Sequence, residues 1–158
     1  MRKKEIYWLV GTIGLVLILT LTLFGLDGFK TDSTLDINIH DTYFVIANFH
    51  FVTLLFVFTF FVVYLLRTIR RNFKNTTANF ILIMVTILLV LIIGKTIGML
   101  DFFSLPSDDG TYVQDNNPVG QIMRILSKIL FGFQIGLLCL LAYCGFKTGR
   151  NYNSEEKH

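Results

Sequence analysis

Four long apolar stretches dominate this chain, at residues 7–26, 43–66, 79–100 and 122–146. At about 1.5 Å of rise per residue, each can cross the ~30 Å hydrocarbon layer of a membrane as a helix. No water is available there to bond the backbone, and an α-helix satisfies its own N–H and C=O groups. The spacing therefore predicts an all-α, integral membrane bundle of four transmembrane helices forming a single domain over 1–158. The composition agrees, with 53% hydrophobic residues, 16 Phe against 2 Pro, and a mean hydropathy of +0.62.

The first stretch follows a basic MRKKE segment, as a signal peptide would. Its apolar run is longer than the roughly 7–15 residues of a signal core, and no small-residue cleavage site follows Leu26. An uncleaved helix is expected.

The charges set an expected orientation. Arg2, Lys3 and Lys4 precede the first span; Arg67, Arg70, Arg71 and Lys74 lie in the 67–78 loop; Lys147, Arg150 and Lys157 lie in the polar tail 147–158. The loops 27–42 and 101–121 carry Lys30 and eight aspartates: Asp27, Asp32, Asp36, Asp41, Asp101, Asp108, Asp109 and Asp115. Basic loops stay in the cytoplasm. Both termini are therefore expected to be cytoplasmic, with two acidic outer loops, in a bacterial inner membrane. The net charge of +3 is a topology signal and gives no reason to expect nucleic acid. The 101–121 loop is rich in turn-forming residues and suits an ordered or partner-facing outer loop. The tail is expected to fray. Cys139 and Cys144, both on the cytoplasmic side of the last span, read as small core residues with no disulfide.

The stretch HDTYFVIANFHFV, residues 40–52, opens on a polar pair and carries a histidine into the second apolar run. Asp41 is placed to cap that helix by accepting from the N–H groups of Tyr43 or Phe44. His40 falls at the outer interface. His50 would then lie about 13 Å below the helix start at ~1.5 Å per residue. Two readings remain open for it: a buried neutral histidine bonded to a neighbouring helix, or an axial haem ligand.

LDINIHDTYFVIANFHFV, residues 35–52, resembles a stretch of subunit I of the haem-copper terminal oxidases. The family pattern runs roughly L-D-I-x-x-H-D-T-Y-Y/F-V-V-A-H-F-H-Y/F-V. It is matched here at Leu35, Asp36, Ile37, His40, Asp41, Thr42, Tyr43, Val45, Ala47, Phe49, His50 and Val52. Outside this window the likeness is one of layout: one helix before the motif, two after it, and a longer outer loop between those two. That corresponds to the last four helices of subunit I. The resemblance implies that His50 matches the low-spin haem ligand. It implies that Asn48 stands where the ligand of the oxygen-binding haem would be, and that His40 and Asp41 match residues that help bind a magnesium-type ion against subunit II. Positions 48 and 50 are about 200° apart on a helix, so their side chains leave opposite faces.

The departures bear on activity. Asn48 offers a neutral carboxamide in place of imidazole. The chain has three histidines in total, leaving none for the family's copper site, and the segment matching the family's propionate-binding arginines reads LPSDD. Oxygen reduction by this chain alone is not expected, and no nucleophile–base pair suggests another enzyme activity. Lys95, Arg124 and Lys128 lie near the outer ends of the later helices. The resemblance implies a propionate or anion partner for them. Pairing with Asp101 or another outer acid, or snorkelling to headgroups, is the plainer reading. Arg124 and Lys128, four residues apart and like-charged, call for an anionic neighbour.

The expected function is a non-catalytic structural or accessory subunit of a larger membrane complex, without a cofactor. Its partners would be other membrane subunits or copies of itself, within the lipid bilayer. The competing reading is a haem-binding electron carrier using His50, with the second axial ligand from a partner or symmetry mate. A metal at His40 and Asp41 would need further ligands from outside the chain. An ion path through Lys95, Lys128 and His50 is disfavoured, since no polar chain continues to the cytoplasmic side.

Overall fold

A computed structural model of the chain describes residues 3–30, 32–39, 42–104 and 118–155. The elements run α1 (Lys3–Phe24), a 3-10 turn (Gly25–Phe29), β1 (Thr34–Ile39), β2 (Thr42–Ala47), α2 (Asn48–Arg70), α3 (Thr76–Ser104) and α4 (Pro118–Glu155). Four helical segments, Glu5–Phe29, Asn48–Arg70, Thr76–Phe102 and Gly120–Arg150, are long and apolar enough to cross a membrane. The chain has the makeup of an integral membrane protein. By contact it divides into two compact units, Met1–Leu89 with Leu141–His158, and Val90–Leu140.

The first unit begins with α1, which stops where Gly25 takes the left-handed conformation (φ +60°) that side chains resist. Within the turn that follows, Gly28 is buried. A Cβ there would fall 2.9 Å from Phe24 Cβ and 3.0 Å from Thr20 Cγ2, so the close fold-back requires glycine. The Lys30–Asp27 pair on its outer side is well exposed, and such pairs contribute little.

The stretch preceding α2 departs from expectation. Residues 43–47, read from sequence as the start of the second span, lie in strand β2, antiparallel to β1 in the register Thr34↔Ala47 to Ile39↔Thr42. Thr, Tyr, Phe, Val and Ile favour a pleated strand, and the TLDINI segment supplies a partner of equal length. Helix α2 therefore starts at Asn48, and its N-cap is Ala47, which has no side-chain cap bond. The capping role expected of Asp41 fails because the helix begins seven residues later. His40 and Asp41 lie outside the described residues.

Helix α2 packs on α1; Val57, Phe60, Phe61 and Tyr64 are buried on α2, and Thr12, Val16 and Thr20 are buried on α1. The small α1 residues recur every four positions, which lets backbones approach closely where lipid offers no hydrophobic drive to association. Phe56, Phe60 and Tyr64 stack in series at 4.6 and 6.0 Å. Thr12 and Thr86 donate to the carbonyls of Trp8 and Leu82, so these buried hydroxyls carry no unmet donor.

The α2–α3 connection is tighter than the 67–78 loop expected from sequence, because Arg67 and Arg70 lie on α2 and α3 begins at Thr76. Asn72 and Phe73 both adopt positive φ, 48° and 61°. That is strained for an aromatic residue. It is held because the Phe73 N–H bonds Thr68 O, its carbonyl accepts from Asn79 Nδ2 at 2.7 Å, and its buried ring meets Tyr143 edge-on at 5.5 Å.

In the second unit, Ser127 Oγ donates to Asp101 at 2.6 Å, and Gln134 Nε2 reaches Val90 O at 3.3 Å. The two bonds pair descending α3 positions with ascending α4 positions, so these segments run antiparallel. Gly94 faces Gln134, whose Nε2 would lie 3.3 Å from a Cβ placed there.

Helix α4 has 38 residues, about 57 Å, nearly twice the ~30 Å of hydrocarbon. It carries the tail, expected to fray, as helix through Glu155. Cys144 is buried, as expected of a core residue, whereas Cys139 is exposed. Five positions on an α-helix turn the side chain by about 140°, so the two cannot share one narrow buried stripe.

Candidate functional site

The buried polar atoms of the first unit concentrate where the start of α1 meets the end of α2. Glu5 and Arg67 form an ion pair through Oε1 and Nη2 at 2.5 Å, each with 4% of its side chain exposed. Asn75 Nδ2 also donates to Glu5 Oε1, at 2.6 Å. The Arg67 guanidinium lies 5.0 Å from the centroid of the Trp8 ring and 5.9 Å from that of Tyr64, distances at which a ring face attracts a cation. Glu5 Oε2, Tyr64 Oη, and Arg67 Nε and Nη1 are buried without a hydrogen-bond partner among the described residues. A buried ion pair with unmet donors and acceptors costs desolvation that well-packed apolar side chains would avoid. Such a cluster therefore marks an anchoring point or a site for a polar ligand.

The arrangement brings three basic segments to one end of this unit. Glu5, next to Lys3 and Lys4, touches Arg67 and Asn75 across 62 and 70 residues of sequence, and Tyr143, four residues before Lys147, packs on Phe73. Arg70, Arg71 and Lys74 are exposed at this end. From sequence these charges read as orientation marks. What could have been noticed is that Glu5 is an acid inside a basic segment and that Arg67 directly continues an apolar run.

The hairpin–helix junction explains Asn48 in structural terms. Asn48 is buried, its N–H bonds Ser33 O at 3.0 Å, and its Nδ2 donates to Ser33 Oγ at 2.9 Å. Ser33 Oγ in turn donates to Asp27 O at 2.5 Å. The carboxamide locks the base of the β-ribbon to the first turn of α2. Two positions on, His50 is exposed, in contact with the adjacent Phe49 ring at 6.0 Å. It lies in the first turn of α2 rather than deep within a span, because the preceding residues are strand. The expectation of a histidine buried about 13 Å into the helix does not hold.

Lys95, Arg124 and Lys128 belong to the second unit and are exposed. Among the described residues none of them is in an ion pair, and Asp101, a suggested partner, accepts from Ser127. Among the described residues, no three His, Cys, Asp or Glu side chains gather as metal ligands do. Helix α4 also presents a feature that sequence reading passed over. Gly132 and Gly136, four apart, have nothing within 4 Å of where a Cβ would sit. The G-x-x-x-G spacing was the available signal.

No protein-family model, curated protein or solved structure matches the chain.

Proposed function

We propose that this protein is a non-catalytic structural or accessory subunit of a larger membrane complex, with helix α4 as its principal docking element. The observation that carries this reading is the open face of α4. Only 11% of its most apolar stretch is buried, against 17% for the first span and 28% for α2 and for α3, and the open Gly132/Gly136 positions lie within the Gly120–Arg150 span. Small residues spaced by four allow a second helix to approach to backbone contact, which lipid chains do not need. The reading extends to a fragment-like relative of haem-copper oxidase subunit I in a bacterial inner membrane, with both termini cytoplasmic. The supporting observations are the 35–52 motif and the basic segments gathered at one end of the first unit. Asn48 fits this reading, since its side chain serves the fold at the place where the family would put a haem ligand.

The test is site-specific photocrosslinking in native membranes. A crosslinker at Gly136 is expected to give one discrete protein adduct, and Gly132→Leu is expected to abolish it. Crosslinks to lipid alone would contradict the reading.

His50 favours a second reading, a haem-binding subunit. Its ring is exposed and makes no hydrogen bond among the described residues, so its imidazole can meet an iron held jointly with a partner or a symmetry mate. The residues present fit one of the two axial positions. Bound haem would supply one-electron redox chemistry, and this chain would contribute the imidazole. A reduced-minus-oxidised spectrum with a sharp α band, lost in His50→Ala, would establish it. Absence of both band and iron would end it.

A further inference from the structure

The open face between α1 and α2 has two contrasting ends. A groove of about 460 Å³ is lined by Tyr7, Trp8, Gly11, Thr12, Leu15 and Val63. A second hollow of about 250 Å³ shares Trp8 and Val63 with it and adds Leu66, Arg67, Arg70 and Arg71. The first end is apolar. The second has three arginines among its lining residues, of which Arg70 and Arg71 are exposed.

The chemistry of Arg67 sharpens the picture. Its Nη2 is committed to Glu5, yet Nε and Nη1 are buried without partners among the described residues, in a side chain that is 4% exposed and lines the hollow. Buried guanidinium donors demand acceptors. Glu5 balances one of the three positive charges among the lining residues, which leaves an excess of two. An acceptor here should be anionic, with oxygens placed for a guanidinium fork. It should also be joined to an apolar body that continues past Trp8 and Val63 toward Gly11 and Leu15.

We propose that this groove binds one anionic phospholipid, with its phosphate on Arg67, Arg70 and Arg71 and an acyl chain along Trp8, Gly11 and Leu15. A free phosphate would satisfy the arginines and leave the groove unexplained. A purely apolar occupant would leave the end lined by Arg67, Arg70 and Arg71 without a counter-charge. Basic pockets between helices, at the level of the headgroups, are where anionic lipids are retained. Trp8 stands at the junction of the two ends, as indoles do at membrane interfaces. A bound lipid of this kind would fill the seam beside the Glu5–Arg67 pair and hold α1 to α2.

Trp8 is the sole tryptophan, so its fluorescence reports on this groove. The full chain is reconstituted in phosphatidylcholine vesicles containing increasing fractions of phosphatidylglycerol brominated on its acyl chains. A parallel series uses brominated phosphatidylcholine. Bromine quenches a tryptophan it touches. Brominated phosphatidylglycerol is expected to reach half-maximal quenching at a mole fraction lower by on the order of tenfold, consistent with headgroup attraction by several basic residues. The double variant Arg70→Ala/Arg71→Ala alters exposed positions and should bring that ratio close to one. Gly11→Leu, whose added side chain projects into open space, should fill the groove and weaken quenching by both lipids while leaving the arginines in place. Equal quenching by the two lipids overturns the proposal. So does a preference that survives the double arginine variant, or one that inorganic phosphate abolishes as effectively as unbrominated phosphatidylglycerol does.

Discussion

Removing the Glu5 carboxylate should destabilise the fold severely. In Glu5→Ala, Arg67 keeps its charge at 4% exposure but loses the Nη2 partner, and Asn75 loses its acceptor at the same atom. The Trp8 and Tyr64 rings, 5.0 and 5.9 Å from the guanidinium carbon, offer partial compensation. Breaking a buried pair from one side costs about 3–5 kcal/mol, because a desolvated charge is left behind. Arg67→Met should cost a similar amount from the other side by stranding Glu5. The double variant Glu5→Met/Arg67→Met strands neither charge and should recover most of the loss, since apolar replacements of buried pairs are often neutral. Trp8 fluorescence during urea or dodecyl sulfate titration in detergent micelles measures all three. A loss below about 1 kcal/mol in Glu5→Ala, the range of an exposed pair, would refute the buried-anchor account. So would a double variant whose loss equals the sum of the singles.

Three further outcomes follow from the geometry. Asn48→Ala should lose about 1–3 kcal/mol, as expected when a buried bonded partner is removed, and most of that loss should vanish in a Ser33→Ala background; unfolding titrations of the four chains give the coupling. Gly28→Ala places a Cβ 2.9 Å from Phe24 Cβ and should destabilise by about 1–3 kcal/mol, whereas Gly98→Ala, with open space, should be close to neutral in the same titration. Asn79→Ala removes the donor that holds the Phe73 carbonyl and should increase hydrogen exchange across 71–75, while the amides of the middle of α2 stay protected.

The spans were legible because crossing hydrocarbon leaves a chain little choice: long apolar runs must be helices, and their number and approximate limits follow. The β-ribbon was not. Thr42–Ala47 and Phe49–Leu66 read as one apolar stretch broken only by Asn48, and a single polar residue does not tell strand from helix. Asn48 stands at the boundary, and its meaning is visible only once Ser33, fifteen residues back, is beside it. The Glu5–Arg67 pair was hidden for the same reason at longer range, since charges next to spans have a sufficient explanation in topology. His50 shows how a local misreading spreads: placing the helix start near Asp41 put the imidazole deep in a span, whereas a start at Asn48 puts it in an exposed first turn. Gly132 and Gly136 carried a readable spacing, but only the structure shows that the space beside them is open.

The proposed role requires this chain to live within a larger assembly. The most direct measurement is the native mass of the tagged protein extracted from its own membrane in mild detergent and stripped of detergent in the gas phase. A mass well above the 18.1 kDa of the chain is expected, with other protein subunits at a fixed ratio and a return to the lone chain in Gly132→Leu/Gly136→Leu. A wild-type mass of one chain plus lipid would contradict it.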